Sequence, residues 1–308
     1  MKKITLLGVP MEVGAGRRGC AMGPAAYRTA GLAEGLSALG FDVEDLGEAV
    51  PDDVDITPPP GNAKAFAQVA GWTRSLYARA FDLAASDTLP IYMGGDHALS
   101  LGTLTGHLAA AREKGRRQFV LWLDAHSDFN TPLTSPSGNM HGTPLAFACG
   151  MDGFGDLLGA PLPARLDPHD LCILGLRSVD AQERDNLQST GARAYDMRAI
   201  DETGIERLLA PFLDRVAAAD GELHVSLDVD FIEPDIAPAV GTTVPGGATF
   251  REAHHVMEML HDSERVTSLD LVELNPFLDD RGRTARLMVD LTASLFGRRV
   301  LDRRTASY

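Results

Sequence analysis

An α/β fold, with helices on both faces of a mostly parallel central sheet of about eight strands, is predicted by the rhythm of hydrophobic residues along the chain. Short runs rich in Val, Ile and Leu end abruptly in Gly, Pro, Asp or a polar cluster, and longer amphipathic stretches separate them. Helical crossovers between successive strands produce parallel pairing. The run Phe119-Val120-Leu121-Trp122-Leu123 is continuously apolar rather than alternating, which marks a strand buried on both faces.

In chain order, strands are expected at 3–9, 41–45, 89–93, 119–123, 170–175, 192–195, 223–227 and 267–272. Helical periodicity is expected at 63–84, 99–114, 204–218, 250–260 and 283–295. Proline and glycine cluster at 57–61 and at 131–138, and 150–163 is a third irregular stretch. Composition does not shift across any of them. Each reads as a loop inside one domain spanning residues 1–308.

Of the 308 residues, 44% are hydrophobic and 23% charged, which excludes wholesale disorder. Lys and Arg number 28 against 43 Asp and Glu, and a formal charge of −15 repels a nucleic-acid backbone or an anionic membrane surface. A small or cationic partner fits better, with no nucleic acid and no membrane. Cys20, Cys149 and Cys172 are odd in number and far apart, which suggests neither a disulfide framework nor a thiolate zinc site. The apolar run after Lys2 and Lys3 ends at Val9, too short for a signal peptide or a membrane span, so the expected location is the cytoplasm.

Ligands of open α/β sheets gather beyond the carboxyl ends of the strands. Three apolar runs end there in unusual residues: Gly94-Gly95-Asp96-His97, Asp124-Ala125-His126-Ser127-Asp128 and Asp228-Val229-Asp230. On extended segments, side chains two apart share a face, so Asp124, His126 and Asp128 converge, as do Asp228 and Asp230. Singly, each has a plain reading, an aspartate as a helix N-cap or a histidine bonded in the core. Together with His97 they would repel one another unless something cationic sat among them. Carboxylates and imidazoles without thiolate suit Mn²⁺ or another first-row divalent ion. Six ligands suit two ions roughly 3.5–4 Å apart.

These three motifs, the last extended back to Ser226-Leu227-Asp228-Val229-Asp230, with Ser268-Leu269-Asp270-Leu271-Val272-Glu273-Leu274-Asn275-Pro276, Gly14-Ala15-Gly16-Arg17-Arg18-Gly19 and Met22-Gly23-Pro24, resemble the signatures of the ureohydrolase family, its arginase branch above all. The resemblance covers nearly the whole chain. It implies a three-layer α/β/α sandwich, a homotrimer or homohexamer, and a binuclear manganese centre that hydrolyses L-arginine to L-ornithine and urea through a hydroxide bridging the ions. By motif position, His97, Asp124, Asp128 and Asp228 would hold one Mn²⁺, and Asp124, His126, Asp228 and Asp230 the other. Asp128 would also accept a proton, His141 would move one to the leaving amine, and Glu273 would grip the guanidinium.

Substrate choice is read from two loops. In the resemblance, Asn130 and Ser137 receive the α-carboxylate, Asp180 and Glu183 face the α-amino group, and Thr242 is a lesser contact near Glu273. Ser178 and Ala181-Gln182 depart from the commonest arginase pattern, which has an aspartate and Pro-Gly there. Without the resemblance, Asp180 and Glu183 read as the acidic first turn of a helix. Another guanidinium hydrolase such as agmatinase is the nearest alternative, and a non-catalytic metal-binding scaffold is a more remote one. The glycines from Gly14 to Gly19 also resemble a dinucleotide fingerprint, which leaves a dinucleotide-binding oxidoreductase as another remote alternative, although they lie far from Val9 and before the helix start at Gly23-Pro24, where the fingerprint should itself open the helix. His254, His255 and His261 are expected at the surface, and Asp52, Asp53, Asp279, Asp280 and Arg281 as solvated loop charges.

Overall fold

A computed structural model describes residues 3–299 and Leu301; residues 1, 2, 300 and 302–308, at the two ends of the expected domain and including Lys2, lie outside the described residues. Eight parallel strands form one sheet: β1 Lys3–Val9, β2 Asp42–Glu48, β3 Leu89–Gly94, β4 Gln118–Leu123, β5 Leu171–Leu176, β6 Arg193–Asp196, β7 Glu222–Asp228 and β8 Val266–Val272. Their order is β2-β1-β3-β8-β7-β4-β5-β6. Every expected strand forms close to its expected limits. The four central strands β3, β8, β7 and β4 are those whose ends carry the acid and histidine motifs.

Ten helices cover the sheet among the described residues: α1 Gly23–Thr29, α2 Leu32–Ala38, α3 Phe66–Ala85, α4 Ser100–Glu113, α5 Pro144–Ala148, α6 Ala181–Thr190, α7 Met197–Thr203, α8 Ile205–Ala218, α9 Phe250–Ser263 and α10 Arg283–Leu295. Alternate residues of each central strand feed opposite cores. Phe119, Leu121 and Leu123 pack with residues of α1, α2 and α7 to α10, while Val120 and Trp122 pack with α3 to α6. This two-sided burial is why the β4 run shows no alternation, and it makes the three layers.

Beneath α4 the sheet buries a polar cluster. Asp270 Oδ2 on β8 accepts from Ser100 Oγ at 2.6 Å and Thr103 Oγ1 at 2.7 Å, and lies 3.4 Å from His224 Nε2 on β7. His224 Nδ1 is 2.8 Å from Ser268 Oγ, and His107 Nε2 is 3.0 Å from Tyr92 OH. Although burial presses its carboxyl upward, His224 and the two hydroxyls hold Asp270 below the usual carboxylate range.

Two surface expectations are corrected. Adjacent residues on α9 face different ways, as expected of a helix, but the face that His254 shares is the core: the ring is buried, with Nδ1 2.9 Å from Ser294 Oγ, while His255 is exposed. Asp279 is not merely a solvated charge. Its carboxylate accepts the N–H groups of Thr284 at 2.9 Å and Ala285 at 3.2 Å, satisfying free donors in the first turn of α10. No helix among the described residues is long and apolar enough to cross a membrane.

Candidate metal centre and substrate cleft

The three motifs do not continue their strands as extended chain, contrary to expectation. After β3, β4 and β7 the backbone turns sharply. At each turn an aspartate accepts the N–H two residues on: Asp96 Oδ1 from Ala98 at 3.0 Å, Asp124 Oδ1 from His126 at 2.6 Å and Asp228 Oδ1 from Asp230 at 2.8 Å. Such side-chain turns replace the lost ladder bonds. Asp128 completes the second turn in the left-handed region, with φ of 49°. Convergence therefore comes from turn geometry rather than from strand alternation.

At the centre, His97 Nδ1 lies 3.1 Å from Oδ2 of each of Asp124, Asp128 and Asp228. His126 Nδ1 lies 3.1 Å from Asp230 Oδ2 and 3.4 Å from Asp124 Oδ1. Ligand atoms of His97, Asp124 and Asp228 gather within 4.8 Å of one another, as do those of Asp124, His126 and Asp230, so Asp124 belongs to both groups. Asp128 and all four of these aspartate and histidine neighbours other than His126 are buried.

Crowding on this scale moves protons. Burial and then neighbouring carboxylates push Asp128 and Asp228 well above the usual range and raise Asp230. Burial opposes charge on His97, yet Asp124, Asp128 and Asp228 outweigh it and hold the imidazole well above its ordinary value. Asp124 Oδ2 and Asp128 Oδ2 are buried and accept no well-formed hydrogen bond. A single imidazole N–H cannot serve three carboxylates, so the arrangement fits divalent cations. Oxygen and imidazole donors without sulfur select a hard to intermediate ion. The other face of His97 is fixed too: Nε2 lies 2.7 Å from Ser226 Oγ and the ring stacks on Trp122, with centroids 4.2 Å apart.

The sequence profile of the Arginase family matches residues 2–297. The chain belongs to the arginase family. It is 54% identical to the arginase of Agrobacterium fabrum over 100% of this chain and 95% of that one. Against the arginase of Brucella melitensis the identity is 56%, over 98% of this chain and 99% of the relative. The solved native structure of the arginase from Bacillus caldovelox superposes with a TM-score of 0.87 at 38% identity, covering 97% of this chain and all of that one.

Beside the aspartate and histidine cluster, this arginase-family chain places Glu273 immediately after β8, in the left-handed region at φ 63°. Glu273 Oε1 accepts the His97 N–H at 2.9 Å and lies 2.9 Å from His141 Nδ1. Burial disfavours the His141 charge, but Glu273 overrides it and raises the imidazole to about 9. His141 is also held by its backbone, its N–H donating to Gly14 O at 3.2 Å. Gly14 is anchored in turn, because Asp96 Oδ2 accepts the N–H groups of Gly14 at 2.7 Å and Ala15 at 3.0 Å. The loop resembling a dinucleotide fingerprint is thus a brace for the cleft, and the first helix begins only at Gly23.

The expected substrate contacts divide by what already holds them. Asn130 is buried, its Nδ2 donating to Asp180 Oδ2 at 3.2 Å and its Oδ1 accepting from Thr134 Oγ1 at 3.0 Å. Ser137 and Asp180 are exposed. Glu183 is buried, and its carboxylate takes Ser127 Oγ at 2.7 Å, the Phe129 N–H at 3.2 Å and the Asp180 N–H at 3.1 Å. Its contacts are those of a helix-start acid that also ties α6 to the Asp124–Asp128 turn, despite the departures at Ser178 and Ala181-Gln182. The Thr242 hydroxyl donates to Asp230 Oδ2 at 3.2 Å.

Four residues at the site carried no expected role. Ser226 and Trp122 lie inside apolar runs and look like core, although Ser226 sits two residues before Asp228 on the same strand face. Asp96 directly precedes His97, which was its only signal. Cys20, with Sγ 3.6 Å from Glu273 Oε2, is an ordinary small residue by sequence.

Proposed function

We propose that this chain hydrolyses L-arginine to L-ornithine and urea, using two Mn²⁺ ions per chain. The observation that carries the reading is the Glu273 carboxylate, set by the His97 N–H and by His141 at 2.9 Å each, directly beside four convergent aspartates. Relatives at 54% and 56% identity that bear the name arginase support the substrate. His97, Asp124, Asp128 and Asp228 would hold one ion, and Asp124, His126, Asp228 and Asp230 the other. Bound there, divalent ions supply the Lewis acidity that lets water attack a resonance-stabilised guanidinium carbon near neutral pH.

Glu273 Oε2 faces the guanidinium and accepts its N–H groups. Asp128 accepts the proton that the attacking water loses. His141, cationic near neutral pH and bonded to Glu273 through Nδ1, delivers a proton from Nε2 to the departing amine. Water adds at carbon, the carbon–nitrogen bond breaks, and ornithine leaves with a protonated δ-amine. Asn130 and Ser137 receive the α-carboxylate and Asp180 the α-amino group. Glu183 reaches that group through Asp180, and Thr242 steadies Asp230. The chain works in the cytoplasm as a homotrimer or homohexamer; its three unpaired cysteines suit a reducing compartment.

The test is urea release from L-arginine and agmatine after chelation and re-addition of Mn²⁺, Mg²⁺ or Zn²⁺. Arginine turnover that returns best with Mn²⁺, and a kcat/KM at least ~10²-fold lower for agmatine, are expected, because groups built for a carboxylate stay unpaired without one. Equal use of both substrates overturns the arginine reading, and full activity in metal-free protein overturns the metal mechanism.

A further inference from the structure

The irregular stretch 57–61 is distant in the chain from the other two, 131–138 and 150–163, yet the three meet beside the cleft. Residues 61–64 lie along the second of them. The Asn62 N–H donates to Pro132 O at 2.7 Å and the Lys64 N–H to Gly138 O at 2.8 Å, one bond near each end of the loop. Between these bonds the Asn62 side chain donates from Nδ2 to Pro136 O at 3.2 Å and Ser135 O at 3.4 Å. Two glycines permit the approach. A Cβ on Gly61 would stand 2.2 Å from Pro132 O, and one on Gly138 would stand 2.2 Å from Asn62 O. Both are in the left-handed region, at φ 118° and 74°. The third stretch touches both others: a Cβ on Gly153 would meet Leu133 Cγ at 3.1 Å, and one on Gly155 would meet Pro59 Cβ at 3.3 Å.

The braced loop joins Asn130 to Ser137, the two residues assigned above to the α-carboxylate. Asn130 has support of its own, from Asp180, Thr134 and the Gly142 carbonyl that its N–H reaches at 3.1 Å. Ser137 does not. Among the described residues its hydroxyl bonds only inside the loop, to Ser135 Oγ at 3.4 Å and to the Asn139 N–H at 3.1 Å. The distance between the two ends therefore depends on what holds the backbone of 132–138: its own turn, in which the Thr134 and Ser135 N–H groups reach Thr131 O and the Gly138 N–H reaches Ser135 Oγ, the Lys64 N–H on Gly138 O, and, on the two carbonyls directly before Ser137, the Asn62 side chain.

We propose that Asn62 is a positioning residue for α-carboxylate specificity, holding Ser137 where it and Asn130 reach the same carboxylate. The inference rests on the arginine reading. Donors fixed in advance lose less freedom when the substrate binds, so loosening them weakens binding of the carboxylate and not the chemistry at the guanidinium.

Asn62→Ala removes the two side-chain bonds, keeps the backbone pair, and lies at an exposed position where folding is not at stake. With Mn²⁺-loaded enzyme, kcat/KM for L-arginine falls about three- to tenfold through KM, kcat stays within about twofold, and agmatine kinetics are unchanged. Calorimetry shows the same weakening for L-ornithine, which has the carboxylate, and none for putrescine, which lacks it. Equal losses on both substrates, or no loss on either, overturn the proposal. In the double variant with Ser137→Ala, the loss is no larger than for Ser137→Ala alone if Asn62 acts through Ser137, and additive losses overturn it. A parent enzyme that does not discriminate arginine from agmatine removes the arginine reading and this inference together, and that result is recognised before any variant is made.

Discussion

Two groups of buried acids and imidazoles share strand β7 and its neighbours, and they are balanced in opposite ways. Under α4, one carboxylate, Asp270, is matched by His224 and by the hydroxyls of Ser100 and Thr103. At the strand ends, four carboxylates face two imidazoles, and His97 Nδ1 alone stands 3.1 Å from three of them. Burial alone does not separate structure from function here. What separates them is whether the protein supplies enough donors of its own, since an acid lacking them requires a proton or a cation from outside.

The contrast is broken most severely at Asp228. Asp228→Ala should lose metal and about 10³-fold or more in activity, since a shared ligand disappears. The metal-free variant should nevertheless melt close to the metal-free parent, because relief of the carboxyl crowding offsets the lost acceptor of the Asp230 N–H. Elemental analysis and melts with and without Mn²⁺ check both halves. A metal-free variant that melts lower would place Asp228 in the internally balanced class.

Asp270→Ala should behave in the reverse way. Metal content is retained, while stability falls by about 3 kcal/mol, because two buried hydroxyls and His224 lose their acceptor. Denaturant unfolding of the metal-free chain measures it, and loss of metal without loss of stability would reverse the assignment.

The smallest effect is in pH. His107 faces Tyr92 on β3, His224 on β7, Asp270 on β8 and Lys114 beyond the end of its own helix. Burial first, then His224 and Lys114, push its imidazole down to about 3. A folded value below the ordinary ~6.5 means that the unfolded chain binds the extra proton. Its contribution is therefore complete above about pH 6.5 and is lost as pH falls toward 3, by at most about 1.4 kcal/mol per unit. His107→Gln should flatten the stability profile between pH 7 and 5 relative to the parent, and parallel profiles would show that His107 does not stay neutral in the fold.

Both clusters bear on what could be read from sequence. The strands were legible because two-sided burial leaves unbroken apolar runs, and the convergent acids and histidines were legible because they stand at the ends of those runs. Asp270 and Ser226 were not, since a polar residue inside an apolar run carries no sign of its partner across the sheet. Helix α6 was visible only through its acidic start, because among its residues just Glu183 and Leu187 are buried. Helices α1 and α2 span seven residues each, too few for the helical period to stand out. The turns after β4 and β7 escaped because an aspartate bonding two residues ahead has the same spacing as an aspartate on an extended strand.

The strand order also governs when the site can exist. Ile91 of β3 pairs with Leu269 of β8, and Gln118 of β4 with Glu222 of β7, so the four strand ends around the cluster come from both halves of the chain. No shorter stretch of the growing polypeptide holds His97, Asp124 and Glu273 together. Loops this long close slowly, and long-range parallel pairing is formed late. A chain still being synthesised offers a cation only scattered carboxylates, and a metal would meet these residues together only in a finished sheet.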